Sequence, residues 1–418
     1  MESVAAMSRR LGVGFVGSGF NTRFHIQAFH AIRDADVRGV WSPNRERAES
    51  AAALARDLDV GDCKVYGSIT EMVADPAIEA IWLSGPNQAR VENVEEIVEA
   101  IRSGKGTLLG LACEKPLARN VAEAKRVCAL VDSVGLQTGY LENQLFSPHV
   151  ETGYKLLWAR GAATTGRPYL ARAAEEHSGP HTPWFWTGAL QGGGTLTDMM
   201  CHSALLIRHL LTKPGEPLST VKPVRITAHI ASLKWSRPHY AAILRDEMKV
   251  PVDYTKTPSE DFASMHVEFL TDDGYTVLGE ATTSWSFVGA GLRLSAELLG
   301  PEYSMQWNSL DPGLRLFFSR AVKGAVGEDL VEKQQAETGG MPVVPAEPFA
   351  YGYETEDRHF ARVFLGLEQP RLTFADGLEV VKMLMTAYQS AEQGRTIDYP
   401  GEDLDTFTSA VSRYEWKR

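Results

Sequence analysis

The chain has 418 residues and a formal net charge of −11, so it is long enough for two domains and lacks the basic character of a general nucleic-acid binder. Hydrophobic residues make up 44% and charged residues 23% of the sequence, and no apolar stretch approaches the roughly 20 residues of a membrane-spanning helix. The four cysteines show no CxxC or zinc-ligand spacing, and we expect reduced thiols and a cytoplasmic location. Arg9 and Arg10 precede a glycine-rich run without a small-residue cleavage site, so we expect a short leader rather than a twin-arginine export signal.

The first predicted strand leads into a glycine-rich turn. Residues 11–16, LGVGFV, form a short apolar run typical of a buried parallel strand. Gly17 and Gly19 follow it, and apolar residues then recur at helical spacing. In this context Gly17 would make the tight turn, and Gly19 would let the backbone approach a pyrophosphate at the helix N-terminus. Thr22 stands where a third glycine is usual, and a turn without a ligand is the alternative.

Strand-like and helix-like segments then alternate as far as residue 142. Repeated β–α units predict a parallel sheet covered on both faces, the doubly wound arrangement. We therefore predict a dinucleotide-binding Rossmann domain over residues 1–145. The further strands are expected at 35–42, 77–85, 106–114 and 136–142, and the helices at 44–58, 89–104 and 120–135.

The residues after the second predicted strand bear on the choice between NAD and NADP. An acidic side chain at that point binds the ribose 2′-hydroxyl, whereas arginine accommodates a 2′-phosphate. No carboxylate stands where this strand ends, and Ser42, Asn44 and Arg45 could hold a phosphate. The pattern leans towards NADP, although Arg45 and Arg47 could simply be solvated residues of a helix start, so the cofactor is NAD or NADP.

The segment GGGTLTDMMCH, residues 192–202, is the strongest candidate for chemistry. Three glycines run into a helical pattern in which Asp198 and His202 lie four positions apart, and therefore on one helix face. The glycines suggest that something approaches the backbone closely, and a ligand would fit that requirement. Histidine suits the removal of a hydroxyl proton, and Asp198 would orient the ring and favour its charged form. The alternative is a surface pair worth a few tenths of a kcal/mol.

Five motifs together resemble the Gfo/Idh/MocA oxidoreductases of sugars and cyclitols, and the resemblance covers nearly the whole chain. Residues 12–20, GVGFVGSGF, stand where that family has its dinucleotide loop. Residues 83–87, LSGPN, are similar to the family's ATPN turn, and Glu114-Lys115-Pro116 is its EKP motif. Residues 192–202 resemble its GGG-x-L-x-D-x-x-x-H signature, and residues 356–399 resemble its closing segment. EKP alone is a weak signal, but the three central motifs in this order and at these separations are specific.

The resemblance implies a site. Lys115, Asp198 and His202 would be the catalytic trio, with Lys115 on the substrate hydroxyl and, with Glu114, facing the cofactor; a cis bond before Pro116 is expected. The expected cofactor-binding residues are Gly17, Ser18, Gly19, Phe20, Asn21, Ser42, Asn44, Arg45, Gly85, Pro86, Asn87, Glu114, Lys115, Asn143 and Trp184. The expected substrate-binding residues are Lys115, Glu142, Glu176, His177, Asp198 and His202. No metal site is expected, because the spacing of Glu175, Glu176, His177 and His181 with His202 matches no common metal signature.

The second domain, residues 146–418, should be an α+β unit with a large open, mixed and mostly antiparallel sheet. The resemblance implies this sheet, and the alternating apolar runs after residue 150 agree with it. Thr271 to Gly274 predicts a hairpin turn. A free sheet face favours an oligomer, and we expect a homodimer or homotetramer. The segments 236–262 and 322–352 are insertions without an assigned role.

Three departures from the family pattern bear on the substrate. Phe185 stands where many members have arginine after Trp184, and Gln144 and Leu145 replace two arginines. Charged contacts common in the family are therefore missing. An acidic pocket lined by Glu142, Glu175 and Glu176 would favour a neutral polyhydroxylated or cationic substrate over a sugar acid.

The function expected from these features is hydride transfer between NAD(P) and a secondary alcohol or ketone of a sugar, cyclitol or glycoside. The first alternative is a redox-neutral enzyme that oxidises a sugar hydroxyl transiently, eliminates the aglycone and reduces the product again. The second is a non-catalytic dinucleotide-binding regulator, which would be expected to lose the lysine or the histidine. We expect a small-molecule substrate and neither a nucleic-acid nor a membrane partner.

Overall fold

A computed structural model of the chain describes residues 9–311, 315–318, 339–342 and 346–417. The chain forms two compact units. The first unit comprises Met1–Ala118, Ala122–Ser147 and Tyr351–Leu378, and the second comprises Arg119–Val121, Pro148–Ala350 and Glu379–Arg418. The sequence assigned everything after residue 145 to the second domain, whereas the structure places 351–378 in the first unit.

The first unit is built on a six-stranded parallel sheet in the order β3-β2-β1-β4-β5-β6. β1, β4 and β5 are buried at every position, because helices cover both faces of such a sheet. The predicted doubly wound fold is confirmed. The strands are β1 Leu11–Val16, β2 Ala35–Trp41, β3 Lys64–Val65, β4 Ala80–Leu83, β5 Gly110–Glu114 and β6 Gln137–Leu141, and the helices are α1 Phe20–Ala28, α2 Arg45–Asp57, α3 Ile69–Ala74, α4 Arg90–Arg102 and α5 Val121–Asp132.

β3 and α3 were not predicted from the sequence, and the reason is local. β3 is two residues long and Lys64 is exposed, so it offers no apolar run or alternation from which a strand can be predicted. β3 is recognised as a strand in the structure by its pairing with Gly39 and Val40 of β2. The side chain of Ser68 accepts a hydrogen bond from the amide of Glu71, which is how α3 starts.

The second unit is built on a mixed, mostly antiparallel sheet in the order β12-β11-β7-β10-β9-β8-β15, as predicted. Burial alternates along β10 and β11, because one face of these strands packs on α10, Met200–Leu211, a helix buried along its whole length. The strands are β7 Leu170–Glu176, β8 Val221–Ala231, β9 Phe262–Thr271, β10 Thr276–Ser284, β11 Arg293–Gly300, β12 Tyr303–Asn308 and β15 Ile397–Asp398, with a separate antiparallel pair, β13 Arg315–Phe318 and β14 Gly339–Pro342. The helices up to residue 350 are α6 Pro148–Leu156, α7 Ala163–Thr165, α8 Gly188–Gln191, α9 Thr195–Asp198, α10 Met200–Leu211, α11 Pro238–Asp246 and α12 Glu347–Ala350.

The hairpin predicted at Thr271 to Gly274 is confirmed. The amide of Gly274 donates to the carbonyl of Thr271 at 2.9 Å, and Gly274 has a φ of 86°, which glycine tolerates best. The unassigned segment 236–262 contains α11. Residues 322–338 and 343–345 of the other insertion lie outside the described residues.

The segment 351–378 supplies a helix to the first unit. This helix is α13, Tyr353–Phe364, and α14, Phe374–Gln393, follows it. A Cβ on Gly110 of β5 would lie 2.2 Å from the ring of Phe364, and one on Gly139 of β6 would lie 2.5 Å from the ring of Phe360. The two strand glycines therefore make room for the two phenylalanines. Among the helices that the structure describes, none has the length and apolar character needed to cross a bilayer.

Candidate functional site

The turn after β1 has the shape of a phosphate-binding loop. Gly17 has a φ of 128°, and a Cβ there would lie 2.9 Å from backbone atoms of Ser84 and Gly85, so only glycine fits. A Cβ on Gly19 would meet no heavy atom within 4 Å among the described residues. Gly19 precedes the first turn of α1, where amide groups and the helix dipole favour an anion. The space at Gly19 fits a dinucleotide pyrophosphate.

Polar side chains line the neighbouring strand ends. Thr22, at the third glycine position, is fully buried, and its hydroxyl lies 2.8 Å from that of Ser84. The hydroxyl of Ser18 donates to that of Ser42 at 2.8 Å. Asn44 accepts from the amide of Arg47 and caps α2. These contacts hold the loop against the ends of β2 and β4.

Substitution of Gly19 by alanine should separate cofactor binding from folding. The added methyl group meets no described protein atom, so we expect a melting temperature within about 2 °C of wild type. It occupies the space that a pyrophosphate would need, so we expect the Kd for NAD(P)H to rise about 10-fold or more. Nucleotide fluorescence titration and thermal unfolding measure the two effects. Gly17→Ala is the control, since it should lower the melting temperature; a Gly19→Ala protein that binds like wild type contradicts the assignment.

The EKP motif lies at the end of β5, and Glu114 is the last residue of that strand. The Lys115–Pro116 bond is cis, as the resemblance implied. The buried guanidinium of Arg90 donates to the carbonyls of Glu114 and Pro116, and to that of Gly85 at 3.0 Å. Arg90 thus ties the LSGPN turn to the EKP turn. This role of Arg90 is not visible in the sequence, because its partners lie up to 26 residues away.

The carboxylate of Glu114 belongs to a buried network that the sequence did not reveal. His25 of α1 is fully buried, with Nε2 2.8 Å from Glu114 Oε1 and Nδ1 2.9 Å from the carboxylate of Asp357. Trp82 Nε1 donates to Asp357 at 2.8 Å. Burial lowers the pKa of His25, but Asp357 and Glu114 outweigh it and hold that pKa well above its ordinary value. His25 is therefore an imidazolium that donates from both nitrogens.

Two further carboxyl groups crowd the same network. Glu356 is fully buried and accepts from the backbone amide of Glu142. Burial raises the pKa of Glu356 well above its ordinary value, and neighbouring carboxylates raise it further. Burial also raises the pKa of Glu142 to about 8, although the ammonium group of Lys115 works against this. Burial and the neighbouring carboxylates therefore both favour the protonated form of Glu356.

His25, Glu356 and Asp357 also bring possible metal-ligand atoms within 4.8 Å of one another. Both ring nitrogens of His25 already lie within hydrogen-bonding distance of carboxylates. A metal ion would have to displace one of these contacts and compete with the protonated ring. The geometry therefore favours a proton-sharing network.

Replacement of Glu356 by glutamine should stabilise the protein at high pH. Because the folded-state pKa of Glu356 is raised, the folded state holds a proton that the unfolded state has lost. Stability therefore falls as pH rises from the unfolded value of about 4.3, by at most about 1.4 kcal/mol per pH unit, until the folded pKa is passed. Glutamine removes this titration. We expect the melting temperatures of variant and wild type to agree near the unfolded pKa of about 4.3 and the variant to gain relative to wild type as pH rises above it; a difference independent of pH contradicts this.

The three glycines before α9 make room for the protein's own side chains. A Cβ on Gly193 would lie 1.9 Å from the hydroxyl oxygen of Tyr388, and one on Gly194 would lie 2.3 Å from the carbonyl oxygen of Glu260. Glu260 Oε1 accepts from the amides of Gly194 and Leu196 and from Tyr388. The glycine run suggests, from the sequence alone, that a ligand approaches the backbone closely. In the structure, Tyr388 and Glu260 make that approach and fix the start of α9.

Asp198 and His202 are buried, with 5% and 4% of their surfaces exposed, so they are not a surface pair. α9 ends at Asp198, and α10 begins at Met200. Trp285 Nε1 donates to Asp198 Oδ2 at 3.1 Å. His202 Nε2 lies 3.5 Å from Glu175 Oε2 of β7. An acidic partner of the imidazole thus comes from Glu175, which the sequence placed in the predicted acidic pocket but did not identify as a partner of His202.

Neighbouring side chains of β7 point in different directions. Successive strand residues face opposite sides of a sheet, and Glu176, next to Glu175, pairs with Arg293. The charge of Glu176 is therefore compensated, which reduces the predicted acidity of the pocket.

Two other residues expected at the site contact their neighbours in the chain. His177 Nδ1 accepts from the amide of Gly179 at 2.9 Å. Trp184 stacks on Phe185 with ring centroids 3.8 Å apart.

Comparison with known proteins agrees with this architecture. Residues 11–140 match the model of an oxidoreductase family with an NAD-binding Rossmann fold, and residues 161–305 match the GFO/IDH/MocA C-terminal domain. The chain is 30% identical to the 1,5-anhydro-D-fructose reductase of Ensifer adhaerens over 175 residues, which cover 41% of this chain and 49% of the reductase. It is 24% identical to the inositol 2-dehydrogenase of Cereibacter sphaeroides over 367 residues, covering 82% of this chain and 99% of that enzyme.

A solved structure shares the fold. The crystal structure of GenD2 from gentamicin A biosynthesis, in complex with NAD, superposes with a TM-score of 0.73 at 24% identity, covering 94% of this chain and 97% of that one. Several curated relatives, the reductase among them, are matched over only about half of their own length, 49% to 59%. The two family models nevertheless cover most of this chain in the expected order. The chain belongs to the Gfo/Idh/MocA family of NAD(P)-dependent oxidoreductases.

Proposed function

We propose that the protein transfers a hydride between NAD(P) and a secondary alcohol or ketone of a sugar, cyclitol or related glycoside. The observation that carries this proposal is the buried His202 imidazole beside the Glu175 carboxylate, on a helix that follows a capped glycine turn. Oxidation of an alcohol needs a group that accepts the hydroxyl proton while the hydride leaves carbon. An imidazole with a carboxylate partner can take that proton, because the partner stabilises the imidazolium.

The other residues take complementary roles in the proposal. The space at Gly19 and the hydroxyls of Ser18 and Ser42 would hold the cofactor phosphates and ribose, and the bound nicotinamide would accept the hydride. Lys115 would hold the substrate oxygen as its negative charge develops. Asp198 would act with His202, as the resemblance implies. Arg45 is exposed, and its guanidinium pairs with Glu49 at 2.9 Å. Arg45 could therefore bind the 2′-phosphate of NADP only if this salt bridge breaks.

The substrate class we propose is a neutral polyol. The relatives named above act, by their names, on inositol and 1,5-anhydro-D-fructose. Glu175 supplies an acceptor for hydroxyl groups, whereas the positive charge of Arg293 is compensated by Glu176. A sugar acid would bring a carboxylate towards Glu175 and be disfavoured. We also propose a homodimer or homotetramer formed through the free face of the seven-stranded sheet, where Leu270 and Leu278 are about half exposed.

A substrate panel tests the proposal. Purified protein is incubated with NAD⁺ or NADP⁺ and with inositols, neutral sugars, sugar acids and amino sugars, and NAD(P)H absorbance is followed; ketone substrates are tested in reverse. We expect NAD(P)H to form with neutral polyols. Glycoside cleavage without net NAD(P)H would show the redox-neutral enzyme instead. Reaction with sugar acids alone would overturn the substrate class, and the absence of reaction with every compound would overturn the proposed function.

A further inference from the structure

The segment 232–261, which contains most of the insertion 236–262 that has no role assigned from the sequence, packs around Trp285. Trp285 follows β10 and is fully buried, and its ring centroid lies 5.1 Å from that of Trp186. The segment provides Trp235, Leu244 and Tyr254 to the same cluster. The buried members of this tryptophan cluster are Trp186, Met199, Trp235, Ala241, Leu244, Val250, Tyr254 and Trp285.

Hydrogen bonds fix both the cluster and the indole of Trp285. Trp235 Nε1 donates to the carbonyl of Trp285 at 2.8 Å, and the amide of Trp285 donates to the carbonyl of Asp261 at 2.8 Å. The Asp261 carboxylate accepts from the amides of Leu233, Lys234 and Trp235 at 2.7 to 2.9 Å. The turn that carries Trp235 is thereby tied to the strand end that carries Trp285.

The indole N–H of Trp285 donates one hydrogen bond, and Asp198 Oδ2 accepts it at 3.1 Å. An indole can donate but not accept, and its direction is fixed once the ring is packed. Both side chains are buried, where a hydrogen bond to a carboxylate is stronger than in water. The bond therefore selects one orientation of the Asp198 carboxylate.

We propose that Trp285 is a positioning residue for Asp198, and that the segment 232–261 serves to hold the indole of Trp285. This inference rests on the proposed function, in which Asp198 takes part in proton transfer. It assigns a task to an insertion that lies far from Asp198 in sequence. Trp285 itself makes no contact with substrate in this proposal; its effect passes through the carboxylate it orients.

The first test compares two conservative variants of the same cluster. Trp285→Phe keeps an aromatic ring and removes the N–H donor to Asp198. Trp186→Phe is the matched control, because it removes a buried indole bond to the carbonyl of Pro180 at 2.9 Å. We expect kcat to fall about 10-fold in Trp285→Phe with KM for NAD(P) unchanged, and about 2-fold or less in Trp186→Phe. Equal losses of kcat in the two variants would show a packing effect and overturn the proposal.

Two further measurements locate the effect. In a cycle with Asp198→Asn, Trp285→Phe should cause little additional loss, because the oriented carboxylate is already gone; additive losses contradict the proposal. The indole ¹⁵N–¹H resonance of Trp285, assigned by its disappearance in Trp285→Phe, should shift in Asp198→Asn while that of Trp158 does not. This chemical shift can be measured in a protein without activity. An inactive protein would therefore overturn the proposed function, while the NMR experiment would still test the Trp285–Asp198 hydrogen bond. An unmoved resonance overturns the bond itself.

Discussion

Replacement of Lys115 by methionine is expected to lower kcat/KM for hydride transfer by about 10³-fold or more. Methionine has a similar length but no charge and no donor. Lys115 follows the last residue of β5 in a turn held by Arg90, at the carboxyl edge of the sheet where ligands bind in such folds. Loss of its ammonium group leaves the developing oxyanion without its proposed partner. Steady-state kinetics on the substrate found in the panel measures the loss.

His202→Ala should reduce the rate by a similar factor, because the proposed proton acceptor is removed. NAD(P)H binding should be retained in His202→Ala, because His202 is not among the expected cofactor-binding residues. Lys125→Met is the control, since Lys125 is exposed on α5 and we expect its variant to keep wild-type kinetics. Wild-type activity in either Lys115→Met or His202→Ala would show that the proposed roles are wrong.

Substitution of Gly193 by alanine is expected to destabilise the second unit by about 3 kcal/mol. The new methyl carbon would lie 1.9 Å from the hydroxyl oxygen of Tyr388 and 2.6 Å from that of Thr197. Tyr388 is fully buried and bonded to Glu260 at 2.6 Å, so its ring has no room to move aside. Thermal unfolding of the variant should show a lowered transition.

A second variant identifies the cause of this loss. Tyr388→Phe removes the oxygen that the methyl group meets, at the cost of a hydrogen bond worth about 1 to 2 kcal/mol. We expect Gly193→Ala combined with Tyr388→Phe to lose less than the sum of the two single variants, by at least about 1 kcal/mol. Strict additivity would place the source of the strain elsewhere.

Local sequence patterns predicted most of the first unit's sheet. β1, β2 and β4 to β6 and the helices α1, α2, α4 and α5 were expected within a few residues of their observed bounds, because each strand has an apolar run and each helix a periodic face. β3 has neither and was missed. Residues 351–378 join the first unit because Phe360 packs on Gly139 and Phe364 packs on Gly110. No local sequence pattern can reveal these contacts.

In the candidate site, too, residues that belong to local motifs could be predicted from the sequence, whereas their distant partners could not. Lys115, Asp198 and His202 were found through motifs whose residues are close in sequence. Glu175, Trp285 and His25 were not found as partners, because their contacts span 27, 87 and up to 332 residues. The glycine run was recognised, but the group that approaches it was not, since Tyr388 lies 194 residues beyond Gly194.

The late return of α13 to β5 and β6 constrains how the protein is made. A ribosome that has released the first 150 residues has delivered every strand of the six-stranded sheet, but not the phenylalanines that cover Gly110 and Gly139. Part of the sheet in the nascent Rossmann domain therefore stays uncovered until more than 200 further residues have emerged from the ribosome. Completion of the N-terminal unit is thus a late event of synthesis, contrary to the usual N-terminus-first order of multidomain chains.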